Sequence, residues 1–419
     1  MALRKPPTDL DPCKVQFAES AANIRWQDYP CTLVTPLYGG GVKAGEVDVR
    51  MPIRASAIRG HLRFWWRLLA QHKYKLNLDE IRQREFALWG GLGDTPKASN
   101  VWVRVDAIAN LKVEPWAEYE KSDRGGWKSI PKPAQWANAP YALFPAQGKR
   151  PSSGSEDPHS LAKPGLTWTL HLGLHYPDKA DATLREDLDG RVHEALRWWA
   201  SFGGVGARSR RGLGAFQIQN LECVSVDEAK VAGCRLVVTN SSKDNASAAW
   251  EASINKLKDF RQKPGFARNT GTNNGRPGRS RWPEPDAIRR ATNTHAPRHA
   301  PEHQAGQAYP RAAFGLPIIF QFKDEDKKAG DPQNFTLGPE GFDRLASPLL
   351  LRPYFKNGKW YPAALLLPHE HVKEMRLVMP DRTIAAPQQW WRPEQAAQIE
   401  PMAQHGQDAL SAFLKYFAK

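Results

Sequence analysis

Apolar and polar residues alternate along several stretches of the first half of the chain. Cys31, Leu33, Thr35 and Leu37 alternate up to Gly39-Gly40-Gly41, which predicts a strand closed by a turn. RASAIRGHLRFWWRLLA (54–70) changes period: Ile58, Leu62, Trp65 and Leu69 share one helical face, with Ser56 as the expected N-cap. Val101, Val103 and Val105 alternate with Trp102, Arg104 and Asp106, a half-buried strand. In 166–176, Leu166, Trp168, Leu170, Leu172 and Leu174 face one way, and Thr167, Thr169, His171 and His175 the other. A helix over about 188–202 buries Val192, Leu196 and Trp199, and a strand over about 215–226 follows.

The predicted order is strand, helix, strand, strand, helix, strand. That is the ferredoxin-like arrangement, also used by RNA-recognition domains. The two helices carry similar LRFWW and LRWW runs, whose Trp side chains belong between helices and sheet. Residues 110–164, rich in Pro, Gly, Ser and Trp, read as a long hairpin insertion. The second half repeats the plan less clearly. Strands are expected at 235–239, 316–322, 349–355, 363–367 and 375–379. Helices are expected at 246–260, 283–292 and 407–417. The fold class expected is α+β, with two tandem ferredoxin-like domains, 1–228 and 229–419, and long loop insertions.

Composition adds a direction. A net charge of +15 favours a polyanionic partner, nucleic acid before an anionic membrane surface. The excess is clustered: 54–67 holds four Arg and no acid, 203–216 three Arg and no acid. No stretch approaches about 20 apolar residues, so no membrane span is expected. The first residues, MALRKPPTDLDP, lack an apolar signal core, and the four Cys form no CxxC pair. A cytoplasmic location with reduced thiols is the expectation, with no cofactor.

Three segments carry candidate chemistry. On the first helix, Arg59, Arg63 and Arg67 form a basic stripe, and Arg54 precedes the N-terminus, where open N–H groups favour phosphate. Gly60 costs that helix about 1 kcal/mol relative to Ala, so something is expected to approach its backbone closely. GGVGARSRRGLG (203–214) has neither a P-loop ending nor a dinucleotide fingerprint. Its Gly204, Gly206, Gly212 and Gly214, with Arg208, Arg210 and Arg211, suit a backbone nest that grips phosphates. In the basic loop 262–282, Arg276, Arg279, Arg281 and Trp282 suit a phosphate contact with a stacked base. A solvated basic face or linker is the plain alternative for each. Catalytic signals are poor. His295, His299 and His303 have metal spacing, but Pro297 and Pro301 break the helix it needs, so no metal site is expected. His61, beside Arg59 and Arg63, is the one acid/base candidate for RNA cleavage.

TPLYGGG (35–41), IRASAIRGHLRFWWR (53–67) and GGVGARSRRGLG together resemble the RAMP superfamily of CRISPR systems. RPGRSRWPEPDAIRR (276–290), AFGLPIIFQF (313–322) and RLASPLLLRP (344–353) resemble, more narrowly, the first subunit of the type III-B Cmr effector complex. The resemblance implies two ferredoxin-like domains and a non-catalytic capping role near the 3′ end of the guide RNA. Its implied partners are guide RNA, single-stranded target RNA, the backbone RAMP subunit and the other capping subunit. The rival reading is a metal-independent guide-processing endoribonuclease of the same superfamily. The segments 110–164 and 295–303 match no motif of the family.

Overall fold

The computed structural model describes residues 24–92, 96–121, 127–131, 139–148, 157–271, 278–322, 330–369, 376–379, 382–385, 390–403 and 405–419. Strand β1 (Ile24–Leu33) leads, through the Gly39–Gly41 turn, to helix α1 (Ala55–His72). The N-cap of α1 is Arg54, not Ser56, with no side-chain cap and no acid in the first turn. Helix α2 (Leu78–Trp89) follows, unpredicted; Asn77 and Glu80 close a reciprocal capping box at its start. Then come β2 (Val101–Ala109), β3 (Thr167–His175), α3 (Val192–Phe202) and the short β4 (Phe216–Ile218). The expected strand to 226 ends at Ile218, because Ser225 caps a short helix, Val226–Val231, across the expected domain boundary.

The first sheet has the order β2-β3-β1-β4 with every pair antiparallel. Its inner face presents Trp168, Leu170, Leu172 and Leu174 to α1 and α3. Between sheet and helices lie Trp65, Trp66, Trp198 and Trp199, all buried. Trp199 meets Phe216 of β4 at 4.4 Å between ring centres. The outer face stays open. Trp26 and Trp102 are about half exposed there, and His171 bridges Asp28 (2.6 Å) and Asp106 (2.7 Å).

The second half supplies β5 (Arg235–Val238), α4 (Ala246–Gln262), α5 (Glu284–Thr292), β6 (Leu349–Lys356), β7 (Lys359–Leu366) and α6 (Ala409–Ala418). Its main sheet runs β5-β7-β6, again antiparallel. Both faces of this sheet are covered, and the period of two decides which residue goes where. Leu350, Tyr354, Ala363 and Leu365 pack into the core around α1 and α3. Leu349, Leu351, Ala364 and Leu366 pack into the core around α4 and α6. The layers therefore alternate: sheet, α1 with α3, sheet, α4 with α6. The strand candidates near 318 and 377 belong instead to a separate sheet, Ile318–Phe320, Phe335–Pro339, Leu377–Met379 and Arg382–Ala385.

The segment 110–164 is more than a hairpin. It holds the pair Ala117–Lys121 and Trp127–Pro131, a helical stretch Pro140–Gln147, and two strands, Val113–Pro115 and Ser160–Ala162. Ser160–Ala162 pairs with both Val113–Pro115 and Leu37–Tyr38, which ties the segment to the turn after β1. No helix among the described residues is long and apolar enough to cross a membrane.

Candidate nucleic-acid interface

The glycine-rich loop 203–214 leaves the end of α3 and folds over the turn that follows β1. The Ala207 N–H donates to the Tyr38 carbonyl (2.7 Å), and the Gly214 N–H to Pro36 (2.8 Å). The Thr35 hydroxyl donates to the Gly212 carbonyl (2.7 Å) and accepts from the Ala215 N–H (2.8 Å). Close packing within the chain accounts for the glycines. At Gly206 (φ +74) a Cβ would meet the Tyr38 oxygen at 2.6 Å; at Gly214 (φ +66) it would meet the Val205 oxygen at 1.8 Å. Gly204 faces the Leu213 oxygen and Gly212 the Leu351 oxygen at similar range. These four glycines were expected to form a nest that grips phosphates; here each makes room for the protein's own backbone.

At Gly60 none of the described residues makes the expected close approach. Nothing lies within 4 Å of a Cβ placed there. It sits in an exposed strip of α1 with Ser56, Ala57, Phe64 and Arg67, flanked by Arg63. Glu85 on α2 takes ion pairs from Arg63 (2.6 Å) and Arg67 (3.0 Å), so one carboxylate serves two guanidiniums. Arg59 turns away and donates to the Trp89 carbonyl; burial, then the Arg63 charge, lowers its pKa. Arg54 pairs with Asp48 at 2.9 Å.

The loop arginines divide by position. Arg210 lies over the ring of Phe64 (5.8 Å), itself 38% exposed, and donates to the Ser347 carbonyl. Arg208 has left-handed backbone (φ +59) and lies over Phe144 (5.1 Å), 56% exposed. Burial lowers the pKa of both. Two exposed aromatic rings, Phe64 of the α1 strip and Phe144, thus each lie under a guanidinium of the loop. Phe64 and Phe144 were absent from the sequence reading, since a lone Phe carries no motif. Arg211 departs from its expected phosphate role. It points inward and donates to Leu349 O (3.1 Å) and Phe314 O (3.1 Å).

The third segment is corrected most. Trp282 is 1% exposed and packs edge-on against Phe260 at 5.5 Å, so no face is open to a base. Arg279 pairs with Asp286 (2.9 Å) and Glu302 (2.8 Å), and Arg281 with Glu400. Arg279 thereby braces the first turn of α5, and Arg281 ties this segment to Gly265, Asn269 and Glu400. Arg276 lies outside the described residues. His61 stacks on Trp199 at 5.8 Å, and burial lowers its pKa. His299 pairs with Asp331 (2.6 Å), and His303 Nε2 meets the Arg281 carbonyl (3.2 Å). Among the described residues no group of His, Cys, Asp or Glu has metal-binding geometry.

Similarity to known proteins follows these elements. Among solved structures, Cmr1 from Pyrococcus furiosus (apo form) is similar at a TM-score of 0.41 and 16% identity, over 87% of this chain and 99% of that one. A chain of the Type III-B Cmr-beta bound to cognate target RNA is similar at 0.44 and 10% identity, over 91% and 99%. A chain of the same complex with target RNA and AMPPnP, in the presence of ssDNA, gives 0.44 and 11%, over 81% and 94%. No curated protein matches. The family model of the RAMP superfamily matches residues 30–217, from within β1 to the middle of β4.

Proposed function

We propose that this chain is a non-catalytic, RNA-binding subunit of a type III-B CRISPR effector, capping the complex near the 3′ end of the guide. The reading takes the chain as two tandem ferredoxin-like units. The order β2-β3-β1-β4 over the RAMP segment supports the first. The order β5-β7-β6 with α4 and α6 supports the second in reduced form. Base pairing would supply sequence specificity, and the protein would read charge and shape.

One observation carries the RNA reading: the open backbone at Gly60, set in a strip that runs from Ser56 past Arg63 to Phe64 and Arg210. A mid-helix glycine with no packing neighbour costs stability without an internal return. A strand of RNA laid on the strip would use it, with phosphates beside Arg63 and Arg67 and a base against Phe64.

Gly60→Trp places bulk on the exposed strip, where a Cβ meets nothing within 4 Å. It should weaken single-stranded RNA binding at least tenfold while leaving thermal unfolding near wild type. Unchanged RNA affinity in a folded Gly60→Trp variant removes the strip from the interface. The nuclease alternative rests on His61, whose ring is stacked on Trp199. Incubation with repeat RNA in EDTA should leave the RNA intact, and cleavage would reverse the assignment.

A further inference from the structure

Around the glycine-rich loop, arginines from four segments converge. Arg211 donates to the Phe314 carbonyl, and Arg261, at the end of α4, lies over the Phe314 ring at 5.6 Å. Arg311 belongs to the same short turn as Phe314, Pro310–Phe314. Arg208 shares the loop with Arg211, and Arg268 follows α4 within electrostatic reach of Arg311. The helical stretch beginning at Pro140 packs against α4 and brings Tyr141 into reach of Arg208, Arg211 and Arg311.

The charges do not balance. Among the described residues, the carboxylate paired with this group is Glu284, which accepts from Arg311 Nε (2.9 Å) and its backbone N–H (2.6 Å). Among the described residues Arg211 meets only carbonyls. The Nε atoms of Arg208 and Arg261 are buried and have no hydrogen-bond partner. Burial first, and then the like charges of Arg261, Arg208 and Arg210 against the opposing Tyr141, draw the Arg211 pKa down to about 10. A guanidinium is a permanent cation at neutral pH. Buried donors without acceptors are costly, and a guanidinium cluster facing one carboxylate has the composition of an oxyanion site.

We propose that Arg208, Arg261, Arg268 and Arg311, with Tyr141, form a binding site for a phosphate group, covered by the helical stretch 140–147. The source of the phosphate, a strand of RNA, rests on the RNA-binding reading above; the anion site itself does not. The site joins the RAMP segment to the second half of the chain and to the segment 110–164. It thereby gives the stretch 140–147 a role: to lie over a bound phosphate.

The test uses the full chain. Thermal unfolding is followed at pH 7.5 during titration with inorganic phosphate, against sodium chloride at matched ionic strength. Wild type should gain Tm with the logarithm of phosphate concentration and respond less to chloride. Arg261→Gln should lose the phosphate-specific rise. In phosphate-free buffer its Tm should equal or exceed wild type, since a like charge has been removed. Arg208→Gln serves as the second variant, should Arg261→Gln fail to fold. Equal responses to phosphate and chloride in wild type would overturn the site, as would a full phosphate response in either folded variant. Single-stranded RNA then distinguishes the sources. If Arg261→Gln also weakens RNA binding several-fold, the phosphate belongs to RNA. If it abolishes the phosphate response with RNA affinity unchanged, the site stands as one for free phosphate, and its link to RNA falls.

Discussion

Arg352, on β6 of the second sheet, donates its guanidinium to the carbonyl of Gly203, the residue that ends α3. The same side chain also reaches the carbonyls of Ala200 (2.5 Å) and Phe216 (2.5 Å). One buried cation thus ends a helix, starts a strand and fixes the first residue of the glycine-rich loop. Arg352→Met removes all three bonds and strands their acceptors. It should lower the unfolding free energy by about 3 kcal/mol. Urea denaturation checks this. Arg352→Lys should recover only part of the loss, because one ammonium cannot span the three carbonyls.

Gly60 and Gly214 predict opposite outcomes for one substitution. Gly60→Ala meets empty space and should stabilise the chain by about 1 kcal/mol through helix propensity. Gly214→Ala would place its Cβ 1.8 Å from the Val205 oxygen at φ +66 and should destabilise by about 1–3 kcal/mol from backbone strain alone, with the clash in addition. Thermal unfolding of the two variants side by side reads the contrast directly.

Glu85 acts as a brake on the basic strip. Glu85→Gln releases Arg63 and Arg67 from their shared carboxylate. RNA should bind more tightly, while stability changes by less than about 1 kcal/mol because the pairs are partly exposed. Arg63→Ala and Arg67→Ala should each weaken binding and flatten the log–log salt slope by about 0.7. Fluorescence anisotropy across a salt series measures both effects.

The open face of the first sheet should respond to pH through His171. Its pKa is raised by the hydrogen bond to Asp106, against burial, and further by Asp28. A base with a raised folded-state pKa contributes stability fully present below its unfolded value, about 6.5, and lost as pH climbs through the folded value. Asp106 is lowered, by the same hydrogen bond first. Its contribution is present above about 3.9 and lost as pH falls through its own folded value. The stability difference between wild type and His171→Gln should therefore be largest between about pH 4 and 6.5. It should shrink toward pH 9. A difference that grows with pH would contradict the bridge.

The sequence reads best where one period runs long. Leu170, Leu172 and Leu174 announce β3, and Ile58, Leu62, Trp65 and Leu69 announce α1, since each pattern has one solution for burying its apolar side. Helix α2 was missed because its apolar face is weak; the Asn77–Glu80 spacing was its only local sign. Trp282 was misplaced for a different reason. A Trp among arginines looks the same in sequence whether it waits for a base or fills a core, and Phe260 decides the matter from 22 positions away. The glycines of 203–214 marked close approach, but sequence cannot say which backbone approaches. Arg261 and Arg311 gave no motif at all, because their neighbours come from segments distant in the chain.

The glycine-rich loop belongs by sequence to the first half of the chain and by attachment to the second. Arg210 holds Ser347, Arg211 holds Leu349 and Phe314, and the Trp250 indole holds Arg211. A hinge between the two halves would have to break these ties before it could open. The halves should therefore move as one rigid body, and a load applied at the loop would pass directly to α4 and the second sheet.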